Sequence, residues 1–344
     1  MKDQIVQANY SSTPSTTDVF MIEREDLNSV STQISYSGAK PLTKDSCSLT
    51  DENGGSQGFT IDQLRSEEEF KSWTGITKPF FEILVKLISG PSDSIKLIEH
   101  RLLMCLAELK TNVYFSALAA LFCINRSTIS RIFSEVLDLL YNATKDLLYW
   151  LPKDVISARM PESYKEKFPS CRVINDATKV KCEKPKTLTQ QIQMYSNYKS
   201  SHTVKFLIGI APSGEIIFIS KAFGGRVTDT YLTVNSGILE LLEPGDVVLA
   251  DKGFPQIEND LHNKGSFLVM PPFKRGQRQF SNFENSEGYK CSSVQIHVER
   301  AIRRLKYFQV LSFLQSDLIP HVDKIIVVLS FICNNMPELI KRKE

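Results

Sequence analysis

The chain has 344 residues, with 41 Lys+Arg against 39 Asp+Glu, 42% hydrophobic residues and 10% aromatic residues. That is enough apolar material for a sizeable core, and enough length for about two domains of 100–200 residues each. A formal net charge of +2 excludes a uniformly basic nucleic-acid coat and a strongly acidic tail protein, while leaving room for local asymmetry. Seven cysteines, at 47, 105, 123, 171, 182, 291 and 333, are odd in number, widely spaced and never in a C-x-x-C. They indicate neither a disulfide framework nor a zinc module and fit a reducing compartment. Met1–Tyr10 has no apolar run, so no secretory signal is expected. The apolar run 325–332 is too short to cross a bilayer, so a soluble intracellular protein is expected.

Residues 1–65 differ in composition from the rest, with 17 Ser+Thr and five basic against nine acidic residues. No hydrophobic period is sustained there, so the segment reads as a disordered leader. The remaining residues hold 36 basic against 30 acidic side chains, so the expected folded part is more basic than the whole.

Residues 66–152 read as a helical domain. Phe80, Phe81, Leu84, Leu87 and Ile88 recur at helical spacing, as do Leu102, Leu103, Leu106 and Leu109. A short apolar helix over 115–122, a break at 123–125 and a second amphipathic helix from Arg126 form a helix-turn-helix pattern. The second helix would present Arg126, Ser127, Thr128 and Arg131 near its start, where a recognition helix carries its DNA contacts. Paired amphipathic helices also serve purely as packing units, so this pattern alone leaves both roles open.

From residue 153 to 344 the rhythm changes to α/β. Val173-Ile174 lead into Asp176, and the β-rich runs 203–210 and 215–220 are joined by Pro212-Ser213-Gly214, a hairpin signal. A helix is predicted over 230–242, closed by Pro244-Gly245, followed by a short buried strand at 247–250. Further helices are predicted over 293–307 and 325–334. The order β-β-β-α-β-α around one mixed sheet is an α/β architecture.

Three acids stand out in that half. Asp176, in VINDATKV, and Asp251, in VVLADKGF, each end a strand, where α/β proteins expose their sites. Glu299 lies mid-helix in IHVERAIRRLKYF, on or beside the stripe formed by Ile296, Ile302 and Leu305. Three converging carboxylates repel one another unless a cation compensates them, and hard oxygen donors suit Mg²⁺ or Mn²⁺ better than zinc. Each acid also has a structural explanation: strand-end aspartates cap turns, and Glu299 is spaced to pair with Arg303.

Taken as an ordered set, these segments carry more. VINDATKV, the run YKSSHTVKFLIGIAPSGEIIFISKAFGGRVTDTYLT (198–233), EPGDVVLADKGF (243–254), the MPPF before a basic loop (270–273) and IHVERAIRRLKYF resemble the catalytic domain of DDE-type transposases. The resemblance is to the PIF/Harbinger class, the DDE superfamily endonucleases, and it extends upstream through the helix-turn-helix and FKSWTGITKPFFEILVKLI (70–88). It implies an RNase H-like mixed sheet flanked by helices, with Asp176, Asp251 and Glu299 as a metal-binding catalytic triad. Asp229, in GGRVTDTYL, would be a helper near the metal, although its place at a predicted helix start favours N-capping. The sequence departs from the family after the first acid, reading Ala177-Thr178-Lys179. Strand alternation is expected to turn Lys179 to the face opposite Asp176, whereas a lysine in the site would mark decayed catalysis.

Basic residues gather where a nucleic acid would lie. Six lysines and one acid occupy 179–205, and Arg300, Arg303 and Arg304 adjoin Glu299 on its helix. The reading is therefore a nuclear, metal-dependent DNA endonuclease using Mg²⁺ or Mn²⁺, with the alternative of a domesticated, catalytically silent DNA-binding or chromatin-associated factor. DNA is the expected partner, with a Myb-like accessory protein implied by the resemblance and self-association left open. A paired-carboxylate glycosidase fits less well, because lysines and arginines rather than aromatic sugar platforms flank these acids.

Overall fold

The computed structural model describes residues 58–91, 93–251, 254, 257–271 and 282–337, with side chains of 282–288 and 290–294 excepted. Leader residues 1–57 and the basic loop around Lys274, Arg275 and Arg278 lie outside the described residues.

Helix starts and stops follow local chemistry. Helix α1 (Glu67–Thr74) begins at Ser66, whose hydroxyl accepts the Glu69 N–H, and carries three glutamates against its positive end. It stops at Gly75, whose φ of 77° is the left-handed conformation a helix end uses. Helices α2 (Lys78–Ile88) and α3 (Ile95–Thr111) follow. Helices α4 (Phe115–Phe122) and α5 (Arg126–Thr144) flank the break read from the sequence, with Cys123 in the left-handed region at φ 55°. The predicted helix-turn-helix is therefore present. Residues 58–65, assigned to the leader from composition, pack against it. The Phe59 N–H donates to the Leu121 carbonyl, and its ring lies 4.9 Å from that of Trp73.

Beyond the short helices α6 (Lys153–Arg159) and α7 (Glu162–Lys165), the chain enters the sheet. Its central strand is β1 (Cys171–Cys182). Helix α8 (Leu188–Met194) and the two-residue β2 (Tyr195–Ser196) lead into β3 (Ser201–Ile210), antiparallel to β1. The predicted hairpin then forms between β3 and β4 (Ile216–Ile219), turning at Gly214 with φ 94°. A short β5 (Phe223–Gly224) also pairs with β3. After α9 (Asp229–Val234), β6 (Val247–Ala250) runs parallel to β1. Helix α10 (Glu258–Asn263) leads to β7 (Phe267–Val269), parallel to β6. The long α11 (Asn282–Leu305) crosses the sheet, β8 (Phe313–Leu314) pairs with the far end of β1, and α12 (Val322–Asn334) closes the described chain. The architecture is a mixed sheet flanked by helices and preceded by a helical region, consistent with an RNase H-like fold.

Several predicted boundaries move. The helix expected over 230–242 stops at Val234 and resumes as a single-turn 3₁₀ helix at Ile238–Leu241, because Gly237 adopts φ 85° between them. The helix expected from residue 293 starts at Asn282. Strands β7 and β8 went unread, being too short to show a period.

One core joins the two halves. The apolar face of α12, including Ile325, Ile326, Val328 and Leu329, is fully buried between β4 and α5. Each such side chain contributes about 1.5–3 kcal/mol on leaving water, so this contact fixes the helical region against the sheet. Polar contacts reinforce it: Asn112 donates to the Phe313 carbonyl at 2.8 Å, and Lys324 pairs with Asp138 at 2.5 Å. No helix of the described residues is long and apolar enough to cross a membrane.

Candidate active site

The parallel register of β1 and β6 pairs Asn175 with Ala250. One step further lie Asp176, in the middle of the twelve-residue β1 and not at a strand end as its sequence context suggested, and Asp251, just past the end of β6, brought side by side by adjacent parallel strands about 4.8 Å apart. Helix α11 supplies the third acid. Its Gln295 donates to the Ala250 carbonyl at 2.7 Å, one turn before Glu299, while Lys306 at its end donates to the Lys179 carbonyl at 3.2 Å. Pinned at both points, α11 presents Glu299 and Ile302, with Lys306 just past its end, to the middle of β1 and the end of β6. A cleft of about 850 Å³ results, lined by Asp176, Asp251, Glu299 and Asp229. The three acids read from the sequence therefore meet, whereas sequence reasoning missed Gln295, whose helical spacing from Glu299 was the available signal.

The electrostatics of Asp176 reflect that company. Burial pushes its carboxyl up to about 7, and the charges of Asp251, Asp229 and Glu299 push in the same direction. The Ala177 N–H, donating to its Oδ1 at 2.7 Å, opposes them. Among the described residues, no group of three His, Cys, Asp or Glu side chains is gathered tightly enough to enclose an ion by itself. The oxygen-only donors and the mutual repulsion around Asp176 nevertheless suit a hard divalent cation held by carboxylate pairs and completed by substrate and water.

Asp229 has a different role from the predicted cap. Thr228 is the N-cap of α9, its hydroxyl accepting the Tyr231 N–H at 3.1 Å, and Asp229 is the first helical residue. A β-hydroxyl before the helix already satisfies that orphan donor, leaving Asp229 to pair with the buried ammonium of Lys205 at 2.6 Å. Lys205 also donates to the Val227 carbonyl at 3.0 Å. The approach of this loop to β3 depends on Gly225, where an added Cβ would sit 1.8 Å from Thr203 Oγ1.

Lys179 does not face away from the acids. It lines the same cleft, opposite Lys205 in the β1–β3 register, and donates to Ser196 Oγ at 3.1 Å. Alternation governs only the Cβ direction; β1 twists along its twelve residues, and a four-carbon stem carries the ammonium past its own face. Lys181, Lys199 and Lys306 complete a basic lining beside the carboxylates. Burial pulls the Lys306 ammonium below its usual range, with Lys199 acting in the same direction.

The predicted phosphate-contacting arginines on α11 divide. Arg300 and Arg303 are exposed, but Arg304 donates to the Cys333 carbonyl at 3.3 Å and the Pro337 carbonyl at 2.7 Å, capping the end of α12. None of the three lines the cleft. In the helix-turn-helix, Arg126 forms an ion pair with Asp317 and Arg131 pairs with Glu135 at 3.3 Å. Ser127 is exposed and Thr128 half-buried at the start of α5.

Comparison with known proteins agrees with this geometry. No curated protein and no solved structure matches the chain significantly. Residues 97–146 match the family described as the helix-turn-helix of DDE superfamily endonuclease, and residues 175–334 match the DDE superfamily endonuclease family. The first match spans α4 and α5, and the second runs from the residue before Asp176 into the end of α12, taking in all three acids. With both regions matched in order and together covering more than half of its length, the chain belongs to the DDE superfamily endonucleases, the transposase-derived nucleases.

Proposed function

We propose that this protein is a metal-dependent DNA endonuclease of the PIF/Harbinger type, cleaving phosphodiester bonds in the nucleus. The observation that carries the reading is the meeting of Asp176, Asp251 and Glu299 in one cleft that Lys179, Lys181, Lys199, Lys205 and Lys306 also line. Asp176 and Asp251, with Glu299 opposite, would hold Mg²⁺ or Mn²⁺ as a pair of ions. When bound, such ions neutralise the scissile phosphate and lower the pKa of the attacking water or of a DNA 3′-hydroxyl.

The chain's own residues then do three things. Lys179, Lys199 and Lys306 hold the flanking phosphates, so binding falls steeply with salt. The Lys205–Asp229 pair keeps the inner wall of the cleft neutral and rigid. The anchors Gln295 and Lys306 keep Glu299 beside the two aspartates, and this positioning accounts for much of what an enzyme without a covalent nucleophile contributes. Water attack at phosphorus with loss of the 3′ oxygen leaves a 3′-hydroxyl, which in strand transfer becomes the next nucleophile. The exposed start of α5 would contribute sequence-dependent DNA contacts, and a Myb-like accessory protein and self-association belong to the same reading.

A catalytically silent DNA-binding factor is the second reading, and the observation favouring it is Lys179 inside the cleft. Nicking of supercoiled DNA in Mg²⁺ and Mn²⁺ by wild type beside Asp176→Ala separates the two. Cleavage by wild type alone supports the nuclease. Absence of cleavage by both proteins, with salt-sensitive DNA binding retained, supports the silent factor.

A further inference from the structure

Tyr198 is 82% exposed, the most exposed large apolar side chain among the described residues, and it lies on the lining of the carboxylate cleft. Two ammonium groups reach over its ring, Lys199 Nζ at 5.0 Å and Lys179 Nζ at 5.8 Å from the centroid. The turn that carries it is tied down. The Lys199 N–H donates to the Ser196 carbonyl at 3.2 Å, the Ser200 N–H to the Asn197 carbonyl at 3.4 Å, and Lys179 Nζ to Ser196 Oγ at 3.1 Å. Through Lys179 the turn is fastened to β1, the strand that holds Asp176.

Apart from these two ammonium contacts, a tyrosine so exposed has no packing reason to be there, and covering its ring would take apolar surface out of water. The neighbours identify what fits. Two ammonium groups at a ring that is otherwise in water attract phosphates around a flat, uncharged π-surface. That combination is the recognition chemistry of a single-stranded nucleotide, in which the backbone is held by cations and the base stacks on the ring. A base inside a duplex has both faces occupied by its neighbours and cannot use the site. An unpaired base at a frayed end, a nick or an overhang can.

We infer that Tyr198 is a stacking platform for an unpaired DNA base next to the phosphate that enters the carboxylate cleft, with Lys179 and Lys199 holding the adjoining phosphates. This inference rests on the endonuclease reading and deepens it: the preferred substrate is DNA whose strands are locally separated at the cleavage point. Tyr198 is a substrate-positioning residue that acts on the strand and not on the reacting atoms.

The test uses the full chain carrying Asp251→Asn, so that the DNA stays intact, and compares a fully paired duplex with one carrying 2-aminopurine in a short 3′ overhang. The inference expects about tenfold tighter binding of the overhang DNA, the order of one base–aromatic stack, with quenching of the 2-aminopurine fluorescence. Adding Tyr198→Phe keeps both effects, because the ring remains. Adding Tyr198→Ala abolishes the preference and the quenching and leaves binding of the paired duplex unchanged. Since the side chain is exposed, the alanine variant is expected to fold, and a matching thermal melt checks this. Retention of preference and quenching by the alanine variant overturns the inference. Equal, salt-sensitive binding of both DNAs by the parent overturns it while sparing DNA binding as such, and no salt-sensitive binding of either DNA overturns both.

Discussion

In the cleft, like charges crowd together: Asp176 feels three other carboxylates, and the balancing groups are lysines and one backbone amide. At the start of α5, unlike charges are already matched, Arg126 with Asp317 and Arg131 with Glu135. The same residue types thus serve opposite ends. Crowded like charges cost free energy in the folded chain and are relieved by a ligand, whereas matched pairs must be broken before either member can bind one. The cleft is therefore the stronger site, and the helix-turn-helix a surface whose cations are partly engaged by the nuclease half.

The largest effect that would break this contrast is at the cleft. Asp251→Asn should lower metal-dependent nicking by at least about a hundredfold, the scale of losing one electrostatic contribution to the transition state, without changing the circular dichroism spectrum. Nicking retained by this variant would remove Asp251 from the site.

Next comes a buried acid on the helical side. Glu108 on α3 is buried, neither of its carboxylate oxygens has a hydrogen-bond partner among the described residues, and burial, aided by Asp317, pushes its carboxyl up to about 8. Its folded pKa exceeds the unfolded value, so the folded state holds the extra proton. Stability is then highest below the ordinary carboxylate range and is lost as pH rises toward about 8. Glu108→Gln cannot titrate. Urea melts should show the variant gaining on wild type by about 2–4 kcal/mol between low pH and about pH 9. Parallel pH profiles for the two proteins would show that Glu108 is solvated.

Gln295→Ala tests whether placement of Glu299 matters. Losing its bond to the Ala250 carbonyl should reduce nicking about tenfold with DNA affinity unchanged, the mark of misplacement and not of lost binding. An equal fall in affinity would make Gln295 a DNA contact instead.

Smaller effects sharpen the contrast among the arginines. Arg303→Ala should reduce the dependence of log affinity on log salt by about one phosphate contact, whereas Arg304→Ala should lower the melting temperature and leave that slope alone. Equal slopes for the two variants would mean that the α12 carbonyls do not hold Arg304. The smallest change is expected from Asp317→Asn, because exposed pairs contribute about 0–1 kcal/mol. It should barely move the melting temperature while freeing Arg126 to strengthen DNA binding, an increase that a second substitution, Arg126→Ala, removes. Persistence of the increase in the double variant would exclude Arg126 as its source.

What the amino-acid sequence determined by itself was local. The turn at Gly214 and the break at 123–125 are read over a few neighbouring residues, and both reappear where their patterns put them, whereas Asp176 lies mid-strand in β1 and the stripe expected beside Glu299 shifts, with Val298, Ala301 and Leu305 buried and Ile296 exposed. The α/β order and the three acids follow from those patterns and from the resemblance they support. Decisions among equal candidates were tertiary. That Lys179 turns into the cleft, that Asp229 pairs with Lys205, and that Arg304 closes α12 while Arg303 stays exposed all depend on partners brought in from elsewhere in the fold. A charge carries no local mark of the partner it will meet. Between Arg126 and Asp317 lie 190 residues of chain, and only the packing of α12 against α5 puts them together.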